Sequence, residues 1–124
     1  MIDIEFFSSP IGLGHVTRDI AIVDCLGDIS TSFVTGAGAA KFLENLDYKV
    51  EDVYKPPQFI VENGSLKNPA RWLWNYYQYY KDCKKISTEI IERNNPDCIL
   101  SDEDFASLSV AQDKKIPTVL ITDI

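Results

Sequence analysis

Runs of β-forming residues alternate with segments of helical periodicity along the whole chain, and this alternation strongly limits the possible folds. Five strands are predicted, at Ile2–Phe7, Thr31–Thr35, Lys49–Tyr54, Cys98–Ser101 and Pro117–Thr122. Helices are predicted between them, from the Gly12–Gly14 loop to Leu26, over Ala39–Leu46, from Pro69 to about Arg93, and over Phe105–Lys114. Such alternation indicates a parallel sheet covered on both faces, with right-handed crossovers giving the strand order 3-2-1-4-5. We therefore predict one Rossmann-like, three-layer α/β domain over residues 1–124.

One feature of the first strand conflicts with this fold. Asp3 and Glu5 alternate with apolar residues in a strand that should be covered on both faces. We expect these two carboxylates to pair with basic residues or to reach an edge of the covering helices.

Composition narrows the class of protein. The 124 residues suit one domain with a single sizeable core, and the net charge of −7 argues against general nucleic-acid binding. No apolar run approaches a membrane span and the N-terminus lacks a signal-peptide pattern, so we expect a cytoplasmic protein. Cys25, Cys83 and Cys98 form no metal-binding spacing, and we expect them to be small core residues rather than zinc ligands.

The first glycine loop, "SSPIGLGHVTRD", does not match a nucleotide-binding motif. It lacks the third glycine of GxGxxG, and the second strand ends in Thr35 and Gly36 without an acidic residue for a ribose. A Walker lysine is also absent from the loop. We therefore expect no bound cofactor.

Candidate chemistry lies where the predicted strand order reverses, because ligands of open α/β sheets bind beyond the carboxyl ends of the strands there. His15 begins a predicted helix, whose partial positive charge disfavours imidazolium, and Asp102 follows the fourth strand. Together they could form a general base and its orienting carboxylate, or each could simply cap a helix. Asp102, Glu103 and Asp104 could also hold Mg²⁺, but acidic residues are common at helix starts and no phosphate-binding lysine accompanies them.

The segment from residue 54 to 93 differs from the rest of the chain. It carries seven basic and four acidic residues, hence +3 against −10 elsewhere, and holds eight of the fourteen aromatic residues. Its run "WLWNYYQYY" places aromatic residues on two faces of one helix, the first containing Trp72, Tyr76 and Tyr79. At least one face should be core or interface; the other could contact a hydrophobic or sugar acceptor, an anionic lipid surface, or a partner domain.

Two stretches resemble a known family. "GLGHVTRDIAI" resembles the first glycine loop of GT-B glycosyltransferases, notably MurG-like and UDP-glucuronosyltransferase-like enzymes. "NPDCILSDEDFASLSVAQDKKIPTVLITDI" is similar to the segment that closes their N-terminal domain. The chain also stops directly after a strand, so we expect a fragment of a two-domain protein.

The resemblance implies the acceptor-binding half of an inverting, metal-independent enzyme that moves a sugar from a nucleotide-sugar donor to an acceptor hydroxyl. The acceptor would be a small molecule, a glycan or a lipid-linked molecule. The protein could then also contact a membrane surface peripherally. A C-terminal domain outside these residues would bind the donor, so the fragment itself should be inactive. The resemblance makes His15 the base and Asp102 its orienting partner.

We also name candidate acceptor-binding residues in the segments that leave the switch point and on the aromatic helix: Gly12, Gly14, Arg18, Thr35, Gly36, Gly38 and Trp72. Ile11 and Leu13 depart from the glycine-richer MurG-like loops, which argues against a polyprenyl-diphosphate acceptor. The competing hypothesis is a non-catalytic Rossmann-like module that binds a ligand or pairs with a separate subunit.

Overall fold

The computed structural model describes residues 2–11, 13–57, 61–62, 65–66 and 68–122. Their strands are β1 (Asp3–Ser8), β2 (Ser30–Thr35), β3 (Val50–Asp52), β4 (Val61–Glu62), β5 (Ser65–Leu66), β6 (Cys98–Asp102) and β7 (Thr118–Ile121). Their helices are α1 (Gly14–Leu26), α2 (Ala37–Asn45), α3 (Pro69–Asn94) and α4 (Phe105–Asp113).

Five parallel strands form the main sheet in the order β3-β2-β1-β6-β7. This confirms the predicted order 3-2-1-4-5 and the Rossmann-like class. One pairing was not predicted: between β3 and α3, where no strand was expected, β4 and β5 pair in antiparallel orientation.

Helices cover both faces of the sheet, because alternate residues of each strand point to opposite sides. On one face, Phe6 and Phe33 stack with ring centroids 5.2 Å apart and pack with Val16 of α1 and Leu43 of α2. On the other face, Phe7, Val34 and Ile99 of the strands pack against apolar residues of the two remaining helices. These are Ile90 and Ile91 of α3 and Val110 of α4. The two clusters form the three-layer core.

Helix α3 begins and ends close to its predicted limits. The Asn68 side chain accepts a hydrogen bond from the Arg71 amide, and Pro69 occupies the first turn. Asn95 ends the helix in the left-handed region with φ 45°, and Pro96 follows. The capping residues thus account for a helix of 26 residues.

The two acidic residues of β1 lie in different environments. Glu5 is 4% exposed and accepts a hydrogen bond from the Asn94 side chain at 3.3 Å. Burial raises the pKa of Glu5 and the Asn94 hydrogen bond lowers it in part, which gives a net pKa of about 7. Asp3 is exposed at the start of the strand. For Glu5 the second of the two expectations is confirmed, because its carboxylate reaches an amide side chain at the end of the covering helix α3.

The prediction for the cysteines is correct for only part of the set. Cys83 is buried and Cys98 half-buried, but Cys25 is exposed on α1. Cys25 lies on the side of α1 that faces solvent, so its apolar neighbours in the sequence did not imply that it is buried. None of the helices in the described ranges is both long and apolar enough to cross a membrane.

Candidate active site

The candidate site lies at the carboxyl ends of β1 and β6, which are neighbours in the sheet. Ser8 at the end of β1 is in register with Asp102 at the end of β6, and the Ser9 amide donates to the Asp102 carbonyl at 3.1 Å. Ser8 lies two residues after Phe6, and Asp102 two after Leu100, so both side chains face the layer of α1. Helix α1 begins at Gly14, a few residues after β1, and crosses this edge.

His15 lies between two carboxylates. Its Nδ1 is 3.2 Å from Asp102 Oδ1, and its Nε2 is 3.3 Å from Glu103 Oε2. The imidazole is 18% exposed, whereas the Asp102 side chain is fully buried. With Nδ1 protonated, the ring donates to Asp102, and that tautomer leaves the Nε2 lone pair on the side of Glu103.

Arg18 contacts the same carboxylate from the next turn of α1. Its Nη2 donates to Asp102 Oδ1 at 2.5 Å, and its Nε donates to Asp102 Oδ2 at 3.4 Å. Residues 15 and 18 are three apart and therefore lie on one face of the helix. This bidentate contact compensates the buried charge of Asp102.

Glu103 adopts a backbone conformation that few non-glycine residues adopt. Its φ is 51°, in the left-handed region, and its amide donates to the Ile121 carbonyl at 2.9 Å. The Thr122 hydroxyl donates to Glu103 Oε1 at 3.4 Å. Strained residues of this kind cluster at functional sites.

A second buried network lies beside the site, in the layer of α3 and α4. The Tyr54 hydroxyl donates to Asp104 Oδ2 at 2.8 Å and lies 2.8 Å from the Ser87 hydroxyl. Burial raises the pKa of Asp104, and the hydrogen bonds from Ser107 and Tyr54 lower it in part. This network links the segment after β3 to α3 and to the N-cap of α4.

The aromatic face of α3 reaches this edge of the sheet. A crevice of about 20 Å³ is lined by Tyr76, Tyr79 and Tyr80 together with Glu103 and Asp104. Trp72 is half-buried one turn earlier, its ring centroid 5.3 Å from that of Tyr76. The opposite face carries Leu73, Trp74 and Tyr77, all more than half exposed.

The remaining candidate acceptor-binding residues differ in their surroundings. Gly12 lies outside the described residues. Gly14 is exposed, and a Cβ added there would meet no atom within 4 Å. Gly38 is also exposed, and a Cβ there would lie 3.9 Å from the Leu13 side chain, so the two glycine turns are neighbours.

The end of β2 is packed more tightly than these turns. Thr35 is fully buried, and its carbonyl accepts hydrogen bonds from the amides of Val53 and Tyr54. Gly36 is buried, and a Cβ there would lie 1.8 Å from the Tyr54 carbonyl oxygen. The visible role of Gly36 is therefore to let the chain that follows β3 pass close to the end of β2.

The capping hypothesis for His15 and Asp102 is not supported by the helix ends. Leu13 is the N-cap of α1 and Asp104 is the N-cap of α4. His15 lies inside its helix and Asp102 at the end of its strand, with their side chains turned to each other. Among the described residues, no group of three or more His, Cys, Asp or Glu side chains is arranged to hold a metal ion.

Sequence reasoning missed Asp19 altogether and did not predict the contact between Glu103 and His15. Asp19 is fully buried beside Asp102, and Glu103 contacts the second nitrogen of His15. A signal existed for Asp19, because it lies four residues after His15, on the same helical face as Val16 and Ile20, where a carboxylate is unusual. Glu103 was considered only as a ligand of Mg²⁺, and its contact with His15 could not be predicted because the direction of its side chain depends on the left-handed turn.

The comparisons with known proteins give the fold. The chain is similar to the calicheamicin glycosyltransferase CalG4, with 19% identity, a TM-score of 0.73, and coverage of 98% of this chain and 32% of that one. It is similar to MurG from Acinetobacter baumannii, with 11% identity, a TM-score of 0.65, and coverage of 98% and 35%. The chain shares the fold of a domain of these glycosyltransferases. No protein-family model and no curated protein matches the sequence.

The same fold also occurs outside glycosyltransferases. The C-terminal domain of a hydrogenase from Pyrococcus furiosus is 18% identical, with a TM-score of 0.62 and coverage of 96% of this chain and 90% of that one. By contrast, the chain spans between 30% and 39% of the length of the glycosyltransferases it matches. The shared fold therefore leaves function to be argued from the site.

Proposed function

We propose that this chain is the acceptor-binding part of an inverting, metal-independent glycosyltransferase that uses a nucleotide-sugar donor. The observation that carries the proposal is the contact between His15 Nδ1 and Asp102 Oδ1, 3.2 Å apart at the edge of the sheet where the strand order reverses. A general base needs this arrangement, with one nitrogen held by a carboxylate and the other turned to the substrate.

In the proposed reaction, His15 Nε2 accepts the proton of the acceptor hydroxyl. The hydroxyl oxygen forms a bond to the anomeric carbon of the donor sugar from the face opposite the leaving group. The bond between that carbon and the diphosphate oxygen breaks, and the nucleoside diphosphate leaves with the electron pair. Asp102 stabilises the imidazolium, and a second domain of the full-length protein binds the donor.

The surroundings of the base suit an acceptor that carries an aromatic or sugar ring. The crevice that three tyrosines of α3 line beside Glu103 has a volume of about 20 Å³, enough for a water molecule but not for a ring. A ring of the acceptor would therefore stack on the half-buried tyrosines at its mouth. Gly14 and Gly38 leave their backbone open near His15, so an acceptor can approach closely. Arg18 and Trp72 complete the proposed acceptor-binding set. Thr35 is fully buried and Gly36 is tightly packed, so these two residues shape the turn and, contrary to expectation, do not contact the acceptor.

The test uses the full-length protein. Isothermal titration with a panel of UDP-, GDP- and TDP-sugars identifies the donor, and transfer is then measured with His15→Ala. Loss of a general base should lower kcat by about 10²- to 10⁴-fold. Cys25→Ser, an exposed position on the same helix, is the matched control. Transfer by His15→Ala near the wild-type rate would show that His15 is not the base.

A non-catalytic module remains the second candidate, and the hydrogenase domain favours it because that domain has the same fold and nearly the same length. This candidate expects no binding of any nucleotide sugar by the full-length protein and no transfer. The titration therefore distinguishes the two candidates before any variant is made.

A further inference from the structure

A buried carboxyl group that the proposed reaction does not use lies directly behind the candidate base. Asp19 is on α1, four residues after His15, and its side chain is fully buried. Its neighbours are the Asp102 carboxylate at the end of β6, the Ser8 hydroxyl at the end of β1, and Arg18 on its own helix. Asp19 therefore faces the charged partner of His15 from the interior of the protein.

Two carboxylates cannot share a buried position while both are ionised, because each is then only a hydrogen-bond acceptor and each repels the other. Arg18 donates two hydrogen bonds to Asp102. Neither oxygen of Asp19 accepts a well-formed hydrogen bond from the described residues. The negative charge therefore belongs on Asp102 and the proton on Asp19.

The electrostatic surroundings of Asp19 agree with this assignment. Burial, followed by the closeness of the Asp102 carboxyl group, raises the pKa of Asp19 well above the usual range of a carboxyl group, while Ser8 and Arg18 act in the opposite direction. At neutral pH the charges of Asp102 and Arg18 then cancel, with Asp19 neutral. Glu103 adds its negative charge from the solvent side of His15.

We propose that Asp19 is a positioning residue whose protonated carboxyl group donates a hydrogen bond to Asp102 and thereby holds Asp102 against Nδ1 of His15. The consequence for catalysis rests on the proposed function. The hydrogen bond itself does not, and it can be tested without any donor or acceptor.

The experiment uses the 124-residue chain, which contains one histidine, so imidazole ¹⁵N NMR signals need no assignment. At pH 7 we expect the neutral ring to favour the tautomer protonated at Nδ1. In Asp19→Leu, which cannot donate, the ratio of that tautomer to the other should fall by about tenfold, the effect of one charge-assisted hydrogen bond. Asp19→Asn keeps a donor and should keep the tautomer. An unchanged ratio in folded Asp19→Leu would overturn the proposal.

A second measurement keeps the proposal falsifiable if Asp19→Leu does not fold. When the pH of the wild-type chain is raised from 7 to 10.5, the imidazole ¹⁵N shifts should change in a step well above the usual pKa of a carboxyl group, as Asp19 loses the proton it donates. Asp19→Asn has no such proton and should show no step. A flat wild-type profile, or the same step in both proteins, would overturn the proposal. Asp24→Asn, an exposed position on α1, should behave as wild type.

The activity of the full-length protein provides the catalytic readout. Asp19→Leu should lower kcat by about tenfold with little change in KM, because the acceptor contacts are intact and only the base is less well held. If the NMR results hold but no nucleotide sugar binds, the proposed function fails while the role of Asp19 stands. If transfer occurs and the tautomer ratio does not change in Asp19→Leu, the role of Asp19 fails alone.

Discussion

His15 Nε2 lies 3.3 Å from Glu103 Oε2, so a carboxylate occupies the side of the imidazole that is opposite Asp102. The Glu103 side chain is 27% exposed and its backbone is held in the left-handed region. Glu103 is therefore positioned to control access to the nitrogen that the proposed reaction uses.

Removing this carboxylate should expose Nε2 to reagents. We expect Glu103→Ala to increase the rate at which diethyl pyrocarbonate modifies His15 by about twofold to fivefold, in keeping with the strength of a partly exposed ionic contact. The reaction is followed at pH 7 by the absorbance of the modified imidazole. Glu44→Ala, an exposed carboxylate on α2, is the control. Equal rates in all three proteins would mean that Glu103 does not cover Nε2.

The buried network of Tyr54 should contribute more to stability than a similar contact at the surface. Tyr54→Phe leaves Asp104, which is buried, without one of its donors, and we expect a loss of about 1–3 kcal/mol in the free energy of unfolding. The matched change is Tyr48→Phe, whose hydroxyl donates to exposed Asp24 at 3.1 Å, and a loss below about 0.5 kcal/mol is expected there. Urea denaturation measures both. Equal losses would contradict the assigned burial.

Stability should depend on pH through Glu5. Its pKa rises from 4.5 to about 7 on folding, so the folded state binds the proton more tightly than the unfolded state. This contribution to stability is complete below pH 4.5 and is lost as the pH rises to about 7.

Glu5→Gln is neutral at every pH and keeps an acceptor for Asn94. It should match wild type near pH 4.5 and exceed it by about 1–3 kcal/mol at pH 8, because only the wild type must bury a charge there. Urea denaturation at several pH values measures the difference, which also cancels the contributions of other buried acids. Glu44→Gln is the control. A difference that does not change with pH would refute the assignment.

Replacement by alanine should have different effects on stability at Gly36 and Gly38, two glycines of the same turn. Gly36→Ala places a Cβ against the Tyr54 carbonyl, and the forced movement of backbone should lower the free energy of unfolding by about 1–3 kcal/mol or more. Gly38→Ala lies in the first turn of α2 with only ordinary contact to Leu13, and it should be neutral or stabilising by up to about 1 kcal/mol. Thermal unfolding compares the two. A neutral Gly36→Ala would show that β2 and β3 can separate without loss.

Local patterns of the sequence were sufficient for the order of elements and for bringing His15 and Asp102 to one edge of the sheet. Strand and helix periodicity, with right-handed crossovers, predicts that the ends of the first and fourth sheet strands are neighbours. The same patterns placed the start of α3 at Asn68-Pro69, where the structure has it. They did not show that β4 and β5 pair, because the pairing involves only two residues of each strand.

The partners of each polar side chain were decided by the tertiary structure. Asp19 meets Asp102 across 83 positions of the chain, and Tyr54 meets Asp104 across 50. Such contacts depend on strand register and on the rotation of each helix about its axis, and neither is encoded in local spacing. The sequence by itself therefore determined a parallel α/β fold and left two roles open for His15 and Asp102. Only the tertiary structure decided which carboxyl groups are buried together and which one covers Nε2 of His15, because burial and the approach of charges are properties of the packed chain.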